Sequence, residues 1–260
     1  MSDFRTDGFL GDLSNWTEVY HRIFLPLLTT YSELNLFAQD VFFRCDFLSN
    51  DLRRLLAKTL FARILGNFQA AYLLAERGME TEMQILARSV CEATFALVAI
   101  DKHESFAQRY IQHSDAQSLQ DIENLLKSDS KSIPANVRAE LIKRRALFKT
   151  DKSLSRDSIL KVWKIAKLAE MTDMYQSTYS LFSVQVHPSP RSLLGHFVKD
   201  RSGTITHIRF APTHENSKLV LTQSMYLVTR CLDAVGNLFQ LDISTRVEYF
   251  KDRLEHSLEG

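Results

Sequence analysis

Residues 83–100, MQILARSVCEATFALVAI, decide how the chain is read. The run holds two formal charges, Arg88 and Glu92, and otherwise only small or apolar groups and one glutamine. Its apolar residues fall on every side of a helical wheel, the pattern of a helix buried on most faces. Two charges near its middle would cost about 2.5–3.5 kcal/mol each in a bilayer, so the run reads as the central helix of a soluble bundle, not a membrane span. Arg88 and Glu92 are four residues apart and share a face. Inside a core they must be paired and hydrogen-bonded, or line a wet cavity.

Composition agrees with this frame. The 260 residues are 45% apolar and 24% charged, as in ordinary soluble proteins. A net charge of +1 gives no bulk signal for nucleic acid or membrane. Only 8 glycines and 5 prolines favour long helices over a turn-rich β fold. Cys45, Cys91 and Cys231 are far apart and form no CxxC, which argues against a disulfide framework or a zinc site. No metal or cofactor is expected. The opening MSDFRTDGFL has no apolar core of a signal peptide, so the expected setting is the reducing cytoplasm.

Outward from the central run, the pattern predicts an all-α, multi-helix bundle with one small β-hairpin insertion near 195–210. Residues 1–13 read as a flexible arm and 14–260 as a single helical domain. One helix is expected over 15–47 with a break or kink at Pro26. The next is capped by Asn50 or Asp51, ends with Gly78 past its last turn, and carries Leu52, Leu55, Leu56, Leu60, Ile64 and Phe68 as a core stripe. Gly66 on it is either a close helix contact or a tolerated glycine. The central helix starts near 79 and is expected to be the most buried. Helices over 104–126, 134–148 and 155–171 follow, the last capped by Ser155, with 127–133 as a linker. A nearly charge-free helix over 174–187 should stop before Pro188. In 195–210, Ile205, His207 and Arg209 alternate with Thr206, Ile208 and Phe210 behind a Gly203 turn, giving a hairpin that must pack on the helices. Thr213 can cap a helix to 241 and Ser244 one to 258.

On the charge-free helix, Gln176, Tyr179, Ser180, Ser183 and His187 share one face. An uncharged polar stripe suggests burial with internal hydrogen bonds. The central helix offers a fixed cation and an acceptor to match, so the two helices are expected to face each other, with Arg88, Glu92, Tyr179, Ser180, Ser183 and His187 forming a ligand-binding site. The same network could simply fix helix register. His187 titrates near neutrality and Glu92 could orient it, making His187, Glu92 and Arg88 the first catalytic candidates. Histidines 103 and 113 read as surface residues. The span 138–167 carries ten basic residues against three acids, +7 net. Lys143, Arg144, Arg145, Lys161 and Lys164 on it could serve an anionic partner, RNA or a nucleotide, or form a solvated face.

Arg88-x-x-x-Glu92 on an apolar helix, followed by Ser183-x-x-x-His187-Pro188-Ser189, resembles a bacterial family of helical proteins known only as a domain of unknown function. The resemblance covers roughly residues 50–200 and implies a helical bundle with a shared polar site. Arg191-Ser-Leu-Leu-Gly-His196 is similar to the Arg-x4–6-His motif of HEPN-like ribonucleases and toxins, small bundles that usually work as dimers. That likeness implies metal-independent RNA cleavage, with His187 or His196 as acid/base and Arg88 or Arg191 on phosphate. Three functional readings follow: a binding or regulatory module, with stress or phage defence as its setting; a HEPN-like ribonuclease; and a structural homodimer.

Overall fold

The computed structural model describes residues 4–46, 50–127, 133–151, 154–186 and 189–258. In chain order they form α1 (Phe4–Asp7), α2 (Ser14–Arg44), α3 (Leu52–Glu76), α4 (Glu80–Lys102), α5 (Phe106–Lys127), α6 (Ala135–Thr150) and α7 (Val162–Leu168). Then come α8 (Thr172–Met174), a π-helical turn (Tyr175–Tyr179), α9 (Ser180–Val186) and α10 (Pro190–Leu193). The hairpin β1 (Phe197–Lys199) and β2 (Ile205–Ile208), α11 (Ser217–Phe239) and α12 (Ser244–Leu258) close the chain. The mainly α bundle with one small hairpin is therefore what forms.

Every residue from 93 to 100 is buried, as the apolar wheel of that run requires. Helix α4 packs against α3, α11, α7, α9 and α5. It is long and apolar enough to cross a membrane by length and composition, yet 72% of that window is buried inside the bundle, consistent with the core helix of a soluble protein. It does not hold the centre alone: fourteen of its 23 residues are buried, against fifteen of 23 in α11. One contiguous cluster of buried side chains runs from Tyr20 to Leu254.

The first turns of α3 tie three other helices down. Arg53 donates to the carbonyls of Ile100 and Asp101 at the end of α4. Arg54 donates to the Leu238 carbonyl of α11, and Lys58 to the Cys45 carbonyl just past α2. Each cation satisfies orphan carbonyls at the negative end of a helix dipole. Helix α3 itself starts as expected: the Asp51 carboxylate accepts the Arg54 N–H at 3.0 Å. It ends in a Schellman motif, with Gly78 N–H on the Ala75 carbonyl and Met79 N–H on the Leu74 carbonyl, Gly78 taking φ +70°. Leu60, Ile64 and Phe68 are buried while Leu52, Leu55 and Leu56 are half-buried. Gly66 faces open space, so it is a tolerated glycine and not a close contact.

Several expected boundaries differ. Helix α2 runs unbroken through Pro26. Buried Tyr20 before the proline and Leu28, Tyr31 and Leu34 after it hold both halves on the core, which outweighs one missing N–H. Ser155 leads only into a single 3-10 turn, Arg156–Ser158, and not into a helix reaching 171; α7 begins at Val162, and between them the Leu160 N–H goes to His113 Nδ1 at 3.1 Å and not to a helical carbonyl. His113 is thus a half-buried anchor and not a surface residue; His103 is exposed, as expected. Residues 4–11 are held in place: Arg77 donates to the Phe9 and Gly11 carbonyls, and Phe4 and Phe9 pack on Phe210. The hairpin pairs Phe197 with Ile208 and Val198 with His207, around an Asp200-anchored turn with Gly203 at φ +85°. Strand β2 is exposed throughout. The hairpin is tethered at its base and does not pack face-on against helices. Most of the 127–133 linker lies outside the described residues.

Candidate functional site

Glu80, Gln84, Arg88 and Glu92 recur every four residues on α4. Four residues advance a helix by about 400°, so these side chains form a slowly winding row. The row faces the π-helical turn, α9 and the start of α11. The π-helical turn widens the register by one residue and delivers Tyr179 to α4. Arg88 Nη2 donates to the Tyr179 hydroxyl at 2.9 Å, with the guanidinium 5.1 Å from the ring centroid. The hydroxyl donates in turn to Glu92 Oε1 at 3.0 Å. Arg88 Nε lies 3.2 Å from the same oxygen, an ion pair aligned too poorly to be a hydrogen bond. Burial pushes the Tyr179 phenol above its ordinary range, so it stays a neutral donor near pH 7; Arg88 pulls the other way. The Arg88 side chain is 21% exposed and that of Glu92 41%, so the cluster sits at an edge open to water.

Of the residues expected to converge, Arg88, Glu92 and Tyr179 do so. Ser183 Oγ donates to the Tyr179 backbone carbonyl at 2.6 Å, and Ser180 Oγ to the Tyr175 carbonyl at 2.9 Å. Ser180 and Gln176 are exposed. The uncharged stripe is therefore buried only at Tyr179: Ser183 is half-buried, and the serines bond to their own helix and need no partner across the interface. His187 lies outside the described residues.

At the N-terminal end of the row, Glu80 is buried and caps α11 from outside. Its carboxylate accepts from Asn216 N–H at 2.6 Å, the Thr213 hydroxyl at 2.9 Å and the Ser217 hydroxyl at 3.2 Å. Thr213, expected as the cap, serves as one of its donors. Beside Glu80 a cleft of about 130 Å³ opens between α4, α9 and the base of the hairpin, lined by Gln84, Gln185, His196, Arg209 and Phe210 among others. Sequence reasoning missed Glu80, Gln84 and Gln185, and placed Arg209 on the hairpin without joining it to this site. Extending the Arg88/Glu92 spacing two turns back would have found the first two; nothing local marks the others.

His196 makes its hydrogen bond to the Arg209 carbonyl at 3.3 Å, through Nδ1. Arg191 is exposed, and no hydrogen bond joins it to His196 among the described residues. Lys143, Arg144, Lys161 and Lys164 are exposed and Arg145 half-buried, but Arg144 pairs with Glu140 and Lys149 with Glu123, so part of the +7 is neutralised locally. The three cysteines are free and buried; burial raises the Cys45 thiol to about 11 and Cys231 to about 12, leaving them protonated. Among the described residues no cluster of His, Cys, Asp and Glu is placed to hold a metal ion.

Fold and site together define a mainly α-helical bundle protein with a polar row, partly open to water, on its central helix. The chain belongs to the family of unknown function DUF5677, whose model matches residues 54–205. The match takes in Gln84, Arg88, Glu92, Tyr179, Gln185 and His196, and leaves out Arg209 and α11. No curated protein and no solved structure matches the chain, and these comparisons give the HEPN-like resemblance no support.

Proposed function

We propose that this protein is a binding module whose recognition element is the polar row of α4. The observation that supports it is the Arg88–Tyr179–Glu92 cluster. Its groups are fixed by hydrogen bonds, yet Glu92 remains 41% exposed. A pair that served only to set helix register would gain most from being sealed away from water. Fixed charges at an open edge are instead pre-organised for a ligand. Protonated, buried thiols suit the cytoplasmic setting of this reading.

The test is a titration of isotopically labelled protein with a panel of nucleosides, amino acids, sugars and inorganic phosphate. At least one class is expected to shift the Arg88 side-chain signal together with that of Tyr179. A panel that moves neither overturns the reading. Cleavage of single-stranded RNA that is lost in His196→Ala would replace binding with ribonuclease activity.

A further inference from the structure

One turn before Arg88, the cleft holds polar groups that the protein leaves unpaired. Gln84 is only 7% exposed, and its carboxamide has no hydrogen-bond partner among the described residues. Gln185, on the opposite wall, has none either. Arg209 Nε is buried without a partner, while its Nη1 pairs with Glu215. His196 donates from Nδ1 to the Arg209 carbonyl, and its Nε2 has no hydrogen-bond partner among the described residues. Buried polar groups are ordinarily satisfied, yet Gln84 is buried and Gln185 and His196 are half-buried, each with a polar group that finds no partner among the described residues. Three such groups lining one cleft point to a ligand that satisfies them.

Charge and shape narrow its class. Glu80 is already saturated by its donors and Arg209 is balanced by Glu215, while Glu82 adds a further negative charge. No cation is left over for a phosphate or carboxylate. The groups on offer alternate donor and acceptor, as the carboxamides that read base edges do. Phe210, 72% exposed and braced by Phe9 at 5.6 Å, stands at the mouth as a stacking surface. The cleft of about 130 Å³ is close to the roughly 150 Å³ that accommodates benzene, so it takes one six-membered ring. We infer that the cleft binds the uncharged edge of a nucleobase, a pyrimidine ring fitting best. The Gln84 and Gln185 carboxamides and His196 Nε2 read the edge, and Phe210 packs on the ring. This inference rests on the binding-module reading and supplies its ligand class.

The base could arrive as a free nucleoside or within a single strand, so both are tested. The full chain is titrated with cytidine, uridine, a short single-stranded oligonucleotide, inorganic phosphate and benzene. Cytidine or uridine is expected to saturate with a Kd of about 1 mM or tighter, and phosphate and benzene are not expected to bind. Tighter binding of the oligonucleotide identifies the strand as the source, and equal affinity the nucleoside. Gln84→Leu should weaken nucleoside binding about tenfold for each ligand hydrogen bond lost, while the melting temperature holds or rises, because an unpaired amide is replaced by an apolar group. Phe210→Ala, at an exposed site, should weaken binding at least about fivefold. Absence of nucleoside saturation, or saturation that neither substitution alters, overturns the inference. If amino acids or sugars shift Arg88 where nucleosides do not, the nucleobase assignment falls and the binding-module reading stands.

Discussion

Replacing Arg88 by alanine measures how open the polar row is. The change removes the hydrogen bond to Tyr179, the guanidinium over its ring and the ion pair with Glu92. A hydrogen bond from a charged donor contributes about 1.5–3 kcal/mol, and a partly exposed cation–π contact about 0.5–1 kcal/mol. What remains is not stranded. Tyr179 still donates to Glu92, and the 41% exposed carboxylate is hydrated. The roughly 3–5 kcal/mol lost when a sealed ion loses its partner therefore does not apply. The expected loss is about 2 kcal/mol, read as a lower urea midpoint at unchanged slope. Removing both charges in Arg88→Met, Glu92→Gln should differ from the single change by no more than about 1 kcal/mol, because exposed ion pairs couple weakly. A loss above about 4 kcal/mol that the double change restores would show the pair to be sealed and would refute this reasoning.

Four further outcomes are expected. Gly78→Ala should cost about 3 kcal/mol, since φ is +70° and a Cβ would lie 2.5 Å from Pro212 Cβ and 2.8 Å from the Thr213 nitrogen; Gly66→Ala, which meets nothing, should gain about 0.5–1 kcal/mol in the same denaturation experiment. Glu80→Gln places an NH2 group among the donors of Thr213, Asn216 and Ser217 and should cost about 2 kcal/mol, with hydrogen exchange rising first in the opening turn of α11; unchanged protection there would contradict the capping role. Burial holds the His113 imidazole below its ordinary 6.5, and its neutral Nδ1 accepts the Leu160 N–H. Because the folded value lies below the unfolded one, this stabilisation is complete above about pH 6.5 and is lost as pH falls through the folded value. The protection factor of the Leu160 amide, measured against its intrinsic exchange rate, should fall on acidification through that window, and an unchanged protection factor would rule the anchor out.

Patterns local to one helix were legible in the chain. The all-round apolar wheel over 93–100, the Asp51 cap and the Gly78 terminus depend on neighbours within a few residues, and each is where periodicity and capping chemistry put it. Features settled by distant partners were not. Pro26 continues its helix because the core grips both sides, and α11 proves as buried as α4 although Lys218, Arg230 and Asp233 interrupt its apolar pattern. The Gln176–Ser183 stripe assumed a uniform period of 3.6. The π-helical turn at Tyr175–Tyr179 breaks that period, so Tyr179 turns inward while Gln176 and Ser180 face water. The long-range partners of Glu80 and Arg209 have no sequence signature at all.

The polar row explains why a buried helix tolerates four polar side chains, and it also sets one of them apart. Glu80 holds the first turn of α11, a duty that any substitution would expose as lost stability. Arg88 and Glu92 hold Tyr179 and through it the π-helical turn. Gln84 sits between them at the same spacing, buried as deeply as Glu80, and makes no hydrogen bond among the described residues. An apolar side chain there is expected to leave the stability of the fold unchanged or raised, because Gln84 is 7% exposed and makes no hydrogen bond among the described residues. A buried polar side chain without a hydrogen-bond partner is the position at which stability and function can be separated experimentally. Gln84→Leu makes that separation: a gain or no change in melting temperature combined with lost binding assigns the residue to the ligand, whereas a loss of stability assigns it to the fold.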